Sequence, residues 1–102
     1  MSGNPISDHD IGGMPIRHLY VRYLMASYLY YVCDESSPWS DYEYDLACRR
    51  LHTEWDTFDH PHKYLLRNPD SLLAGTGFDI INYPSIVRVC SWSWKEGEFN
   101  RR

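Results

Sequence analysis

Apolar and aromatic residues recur every three or four positions between residues 15 and 32, which is the spacing of one face of an α-helix. Pro15 suits the first position of such a helix, because the N–H group that proline lacks would have no partner in the first turn. The chain therefore predicts a first helix over residues 15–32 and a loop over 34–38. The residues on the predicted face are Ile16, Leu19, Tyr20, Tyr23, Leu24, Ser27, Tyr30 and Tyr31.

A second helix is predicted from Ser40 to about Phe58. Ser40-Asp41-Tyr42-Glu43 is a capping box, in which the serine hydroxyl and the glutamate carboxylate each satisfy a backbone N–H group at the helix start. His60-Pro61 ends the helix, because proline has no N–H group to donate. The connection between the two helices is short, so we expect an antiparallel hairpin. The apolar face comprises Tyr44, Ala47, Cys48, Leu51, Trp55 and Phe58.

The pattern is weaker after residue 61. Asn68-Pro69-Asp70 and Gly75-Thr76-Gly77 are turn signals, and residues 63–66 fit one helical turn. Residues 84–94 fit a helical face but also alternate as a strand would, and the helical interpretation is preferred.

The expected fold is mostly α, a small helical domain built on an antiparallel helical hairpin, with a third helix or short hairpin near the C-terminus. Residues 1–14 are polar and rich in glycine, which predicts a flexible arm. Residues 15–94 are expected to form the single domain, and residues 95–102 a tail.

The amino-acid composition narrows the range of functions that this chain could have. The 102 residues include nine tyrosines, four tryptophans and three phenylalanines, more rings than a core of this size needs, which indicates a binding surface. The net charge of −4 argues against direct binding to duplex DNA, which usually needs a basic face. A basic partner protein or a small ligand suits the charge better.

Location and redox state are predicted from what the sequence lacks. Cys33, Cys48 and Cys90 show no CxxC spacing, so we expect reduced thiols in a cytoplasmic protein. No apolar run approaches the roughly 20 residues of a membrane span, and the first residues do not resemble a signal peptide. We therefore expect no membrane association.

The stretch YLYYVCDESSPWSDYEYD at residues 28–45 joins the two predicted helices. Asp41 and Asp45 are four residues apart and share a helix face, with Tyr44 beside them. The structural interpretation is that both acids stabilise the helix start through its dipole, while Tyr30, Tyr31 and Tyr44 fill the hairpin core. The functional interpretation is a pocket of tyrosines and carboxylates.

Over residues 17–62 the chain resembles the N-terminal Ia domain of bacterial NAD-dependent DNA ligases. The resemblance rests on the YYV segment, the SDxEYD box and His60-Pro61. It implies a small helical unit that binds the nicotinamide mononucleotide (NMN) half of NAD, with contacts from Tyr30, Tyr31, Asp41, Tyr44 and Asp45. The chain departs from the family in a longer loop, which contains Trp39, and after His62.

The chemistry that the resemblance implies is coherent. Nicotinamide in NAD and in NMN is a cationic aromatic ring, which tyrosine faces attract by stacking and by cation–π contact. Carboxylates complement its charge and accept hydrogen bonds from ribose hydroxyls.

Ligase catalysis needs a lysine in a K-x-D-G motif as the nucleophile. Lys63 and Lys95 are followed by Tyr-Leu-Leu and Glu-Gly-Glu, so neither fits. Stand-alone proteins of this kind are chiefly encoded by bacteriophages. The resemblance therefore implies a phage-type, non-catalytic module that binds NAD or NMN, or that acts in trans with a separate adenylation domain.

Two alternatives stay open. A phage-encoded interaction module would bind and inhibit a host protein, either a nucleic-acid enzyme or a defence protein, with Trp39, Trp92 and Trp94 as candidate interface residues. A small hydrolase of nicotinamide nucleotides would rest on Asp41 and Asp45 alone. The acids and histidines at 52–62 lack a recognised zinc spacing, and no metal is expected.

Overall fold

The computed structural model describes residues 9–66, 68–75, 80 and 82–99, with side chains up to residue 97. Three α-helices organise this part of the chain: α1 (Ile16–Tyr31), α2 (Asp41–Thr53) and α3 (Ser85–Phe99). Short 3-10 helices at Trp55–Thr57, Lys63–Leu65 and Pro69–Ala74 connect α2 to α3. The mostly α fold is confirmed, and the C-terminal element is a helix, with no strand among the described residues.

The central helix is α1, which packs against both α2 and α3. It follows Pro15, and the N–H group of Val32 bonds to the Tyr28 carbonyl at its end. Five consecutive side chains, at residues 23–27, are buried because neighbours cover more than one face of the helix. The full buried set is Leu19, Tyr20, Tyr23, Leu24, Met25, Ala26, Ser27 and Leu29.

The capping box at the start of α2 is present. The Ser40 hydroxyl accepts a hydrogen bond from the Glu43 N–H at 3.2 Å, and the Glu43 carboxylate accepts one from the Ser40 N–H at 2.8 Å. The α2 helix ends at Thr53, earlier than the predicted position near residue 58. Thr57 donates its hydroxyl to the Glu54 carbonyl at 2.7 Å, and such side-chain bonds compete with continuation of a helix.

The hairpin of α1 and α2 is antiparallel. Ser27, late in α1, bonds to Tyr44, early in α2. Arg50, near the end of α2, donates to the carbonyls of Ile11 and Met14, which precede α1. The side chains of Ile11 and Met14 are buried, so the core takes in residues that the sequence assigned to the arm. Residues 1–8 of that arm lie outside the described part of the chain.

Lys63 organises the connection that follows α2. Its ammonium group donates to the carbonyls of Trp55 and Phe58 and lies 4.8 and 4.5 Å from the centroids of their rings. Tyr20 of α1 donates its hydroxyl to the His62 carbonyl at 2.9 Å. Together these bonds hold the connection against the hairpin.

The 3-10 helix Pro69–Ala74 packs against α2. The Asn68 side chain accepts a hydrogen bond from the Asp70 N–H at 3.1 Å and so caps its start. The helix ends at Gly75, which has a φ of +67° in the left-handed region that favours glycine. This turn places Gly75 beside Asp45 of α2.

The third helix also packs against α1. Ser91 is fully buried and donates its hydroxyl to the Val87 carbonyl one turn earlier, at 2.6 Å. The helix continues to Phe99, so residues 95–99 of the predicted tail are helical. Within the described residues, no helix is both long enough and apolar enough to span a bilayer.

Candidate functional site

A cavity of about 520 Å³ lies where the end of α1, the following loop and the start of α2 meet the turn at Gly75. This volume falls within the roughly 300–1,000 Å³ typical of small-molecule sites. All five residues that the ligase resemblance assigns to ligand binding line it, namely Tyr30, Tyr31, Asp41, Tyr44 and Asp45. Two separate helices therefore bring these side chains to one place.

Tyr30 and Tyr31 form the aromatic edge of the cavity. Both lie in the last turn of α1, and their ring centroids are 4.8 Å apart at an interplanar angle of 89°. The exposed fraction is 62% for Tyr30 and 36% for Tyr31. Such exposure is more than a core role requires, and both rings remain accessible to a ligand.

Tyr44 connects the cavity to the core. Its hydroxyl lies 2.7 Å from the Ser27 hydroxyl, and its ring centroid is 5.6 Å from that of Tyr23. Burial raises the pKa of Tyr44 well above that of a free phenol, so the hydroxyl stays neutral at physiological pH. Tyr44 thus offers the cavity a ring that is fixed from the core side.

The carboxylates of Asp41 and Asp45 stand one turn apart on α2. Asp41 is exposed at the first position of the helix. Asp45 is paired with Arg49, whose Nε atom lies 2.9 Å from Oδ2. Across the cavity wall, a Cβ atom on Gly75 would lie 3.5 Å from the other oxygen of Asp45.

Glu43 adds a third acid to the helix start without lining the cavity. His9 Nδ1 lies 2.7 Å from its Oε2 atom, which ties the N-terminal segment to α2. Burial opposes ionisation of Glu43, but bonds from the Ser40 backbone and from His9 outweigh it and lower the pKa of Glu43. The carboxylate is therefore stabilised as an anion.

The loop between the helices is anchored by Trp39. The Trp39 N–H donates to the Ser37 hydroxyl at 3.2 Å. The Trp39 side chain is buried and packs edge-to-face against Trp94 of α3, with ring centroids 5.6 Å apart. The loop that carries part of the cavity wall is thereby attached to α3.

This packing corrects the predicted protein interface. Trp39 and Trp94 expose only 5% and 7% of their surface, so neither ring offers a surface to a partner. The sequence did not reveal the packing of Trp39 against Trp94, because the loop and α3 are distant along the chain. Trp92 keeps 37% of its surface exposed and stays available for contact.

Several lining residues escaped the sequence analysis. Ser36 and Ser37 belong to the connecting loop, and Ala26 lies within α1. The sequence indicates only a turn at Gly75, and the packing of Pro69–Ala74 against α2 brings this residue to the cavity. Serines in a polar loop carry no local signal that separates a wall position from an ordinary loop position.

The acids and histidines at 52–62 do not converge. His52 Nε2 contacts Asp70 at 3.3 Å, whereas the rings of His60 and His62 lie 5.5 Å apart. Across the described part of the chain, no three histidine, cysteine, aspartate or glutamate side chains come together as metal ligands would.

The three cysteines are free thiols, and burial raises the pKa of Cys48 to about 12.

No protein-family model, curated protein or solved structure matches this chain. The case for its function therefore rests on the cavity and on the residues that line it.

Proposed function

We propose that this chain is a non-catalytic module that binds NMN, or the nicotinamide half of NAD, in the cavity between α1 and α2. One observation carries the proposal: the five residues that the ligase resemblance selects from two helices line a single cavity. The resemblance concerns a sequence motif, and the cavity adds that these side chains meet in space.

The exposure of the tyrosines favours ligand binding over a purely structural role. If the YYV segment served only the hairpin core, Tyr30 would be covered, yet 62% of its surface is exposed. Leaving large aromatic surface in water forgoes hydrophobic stabilisation. Asp41 and Asp45 still stabilise the start of α2, and this contribution is compatible with contact to a ligand.

Each side chain has a role in this proposal. Tyr30 and Tyr31 contact the pyridinium ring, where a cation–π contact contributes roughly 0.5–2 kcal/mol. Asp41 and Asp45 complement the ring charge and accept hydrogen bonds from ribose hydroxyls. The ring of Tyr44 supplies a fixed aromatic wall for the ligand.

Catalysis is assigned to a separate partner. Lys63 is held by two backbone carbonyls, and Lys95 lies 3.3 Å from Glu35, so neither lysine lines the cavity. In this proposal an adenylation domain, supplied in trans, provides the nucleophile. The module contributes the nicotinamide side of the site.

The test is a calorimetric titration of the folded protein with NMN and with NAD. We expect a dissociation constant in the micromolar range, about −8 kcal/mol. Tyr30→Ala and Asp45→Asn should each weaken binding by roughly three- to thirtyfold, because each removes one direct contact.

Two variants control for indirect effects of these substitutions. Tyr42→Ala removes a tyrosine that is 71% exposed on the same helix but does not line the cavity. Glu54→Gln breaks an i,i+4 ion pair with Arg50 like that of Asp45 with Arg49. Both should bind as the wild type does, and absence of binding by the folded wild type would refute the proposal.

A second candidate function is binding to a host protein, with the chain acting as a phage-encoded interaction module. The observation in its favour is the outer face of α3, where Ile86 and Val89 lie one turn apart and are 61% and 64% exposed. Affinity capture with wild type and with Ile86→Glu/Val89→Glu tests it. A host protein held by wild type and lost by the double variant would support this function.

A further inference from the structure

The charged side chains that line the cavity are all negative among the described residues. Among the described residues that line it, the charged side chains are Asp41 and Asp45, and both are acids. The other lining side chains are tyrosines, Trp39, serines and small residues. A ligand with a positive charge is therefore favoured, whereas a phosphate group brings about −1.5 to −2 charges to the same carboxylates.

The neighbouring cations are engaged elsewhere. Arg49 lies on the same helix as both acids but is bound to Asp45 at 2.9 Å. Arg50 donates to two backbone carbonyls and to Glu54. Lys95 contacts Glu35 at 3.3 Å. Arg49 keeps N–H groups for another acceptor, but its charge is already offset by Asp45, so it adds no net positive charge at the cavity.

The start of α2 reaches the cavity, and helix starts commonly bind anions through free N–H groups and the helix dipole. Here the chain supplies its own anions. The Glu43 carboxylate accepts from the Ser40 N–H, and the Ser40 hydroxyl accepts from the Glu43 N–H. Asp41 adds a further negative charge in the first turn. This helix start is thus poorly suited to a phosphate.

We propose that the cavity selects the oxidised, cationic pyridinium nucleoside and disfavours its 5′-phosphate, so that nicotinamide riboside binds more tightly than NMN. This inference rests on the proposed function, because it assumes that nicotinamide ligands occupy this cavity. It adds that the phosphate of NMN or NAD lies outside the acidic cavity, in solvent or against an adenylation partner.

The test compares three ligands by calorimetry: nicotinamide riboside, its dihydro form, which has lost the ring charge, and NMN. At roughly 50 mM salt, where charges are weakly screened, the riboside should bind about three- to tenfold more tightly than NMN. The difference should shrink at roughly 500 mM salt. The dihydro form should bind at least about tenfold more weakly than the oxidised riboside.

A charge-reversal variant makes the test specific to the cavity. Asp41→Lys should remove the preference for the riboside or reverse it in favour of NMN, since it places a cation at the cavity wall. Asp56→Lys changes the net charge equally at an exposed position that does not line the cavity. It should keep the preference of the wild type.

The outcomes separate the two proposals. If NMN binds the wild type as tightly as the riboside at low salt, the inference is overturned while the proposed function stands. If the dihydro form binds as tightly as nicotinamide riboside, the claim that the cavity selects the charged ring is overturned. If no nicotinamide ligand binds the folded protein, the proposed function fails and the inference fails with it.

Discussion

Tyr44 shows how single residues link the core to the cavity. Its hydroxyl is bonded to Ser27, which is fully buried on α1, while the residue also lines the cavity. One hydrogen bond therefore fixes a cavity residue to the helix opposite. A buried hydroxyl left without its partner costs roughly 1–3 kcal/mol.

We expect Ser27→Ala to lower the free energy of unfolding by about 1–2 kcal/mol, because it removes the partner of the Tyr44 hydroxyl. Tyr44→Phe should cost a similar amount. The double variant should cost less than the sum of the two, since the bond can be lost only once. Urea unfolding of the wild type and the three variants measures these free energies. If the two costs add in the double variant, the Ser27 and Tyr44 hydroxyls do not stabilise the protein through this bond.

Glu43 provides a prediction for pH dependence. Because its pKa is lower in the folded protein than in the unfolded chain, its stabilising effect is present above the unfolded pKa, about 4.3, and is lost as the pH falls through the folded value. We expect Glu43→Gln to reduce stability near neutral pH, and the difference from wild type to narrow in acid. Thermal melts between about pH 7 and 3 test this. A constant difference would contradict it.

At the scale of elements, the ends of helices decide the shape of the cavity. The capping box fixes where α2 begins, and so where Asp41 and Asp45 stand. The left-handed turn at Gly75 ends Pro69–Ala74 and closes the wall beside Asp45. Both elements could be anticipated in part, because capping boxes and glycine turns have local sequence signals.

Gly75→Ala should destabilise the protein by about 1 kcal/mol, because alanine adopts a positive φ at a cost. Contact is not the cause, since the added Cβ would meet Asp45 at an ordinary 3.5 Å. Gly97→Ala is the matched control: it lies in α3 with no atom within 4 Å of the added Cβ. It should stabilise by roughly 0.5–1 kcal/mol. Equal effects of the two substitutions in urea unfolding would refute this assignment.

At the scale of the whole molecule, the parts predicted from sequence are those with local signals. The helical spacing of α1 and the capping box of α2 predicted the hairpin. The ligase resemblance selected five residues that line one cavity, and their role as ligand contacts stays a prediction. The predicted end of α2 is wrong because the change to a 3-10 turn, in which the N–H and hydroxyl groups of Thr57 both donate to the Glu54 carbonyl, leaves the spacing of apolar residues unchanged. The packing of Trp39 on Trp94 depends on contacts between distant segments, which no local pattern encodes.

The same scale separates the two candidate functions. The cavity lies at the junction of α1 and α2, whereas the exposed apolar residues Ile86 and Val89 belong to α3. A nicotinamide ligand and a partner protein would therefore contact different helices. A method that reports on each residue distinguishes the two.

The most direct measurement is a titration of isotope-labelled protein with nicotinamide riboside and with NMN, followed by NMR through the backbone amides. We expect both ligands to shift the amide resonances of Tyr30, Tyr31, Asp41 and Asp45, and to leave those of Ile86 and Val89 unchanged. Shifts confined to α3, or no shifts at ligand concentrations of about 1 mM, where even binding of roughly −4 kcal/mol is detected, would contradict it.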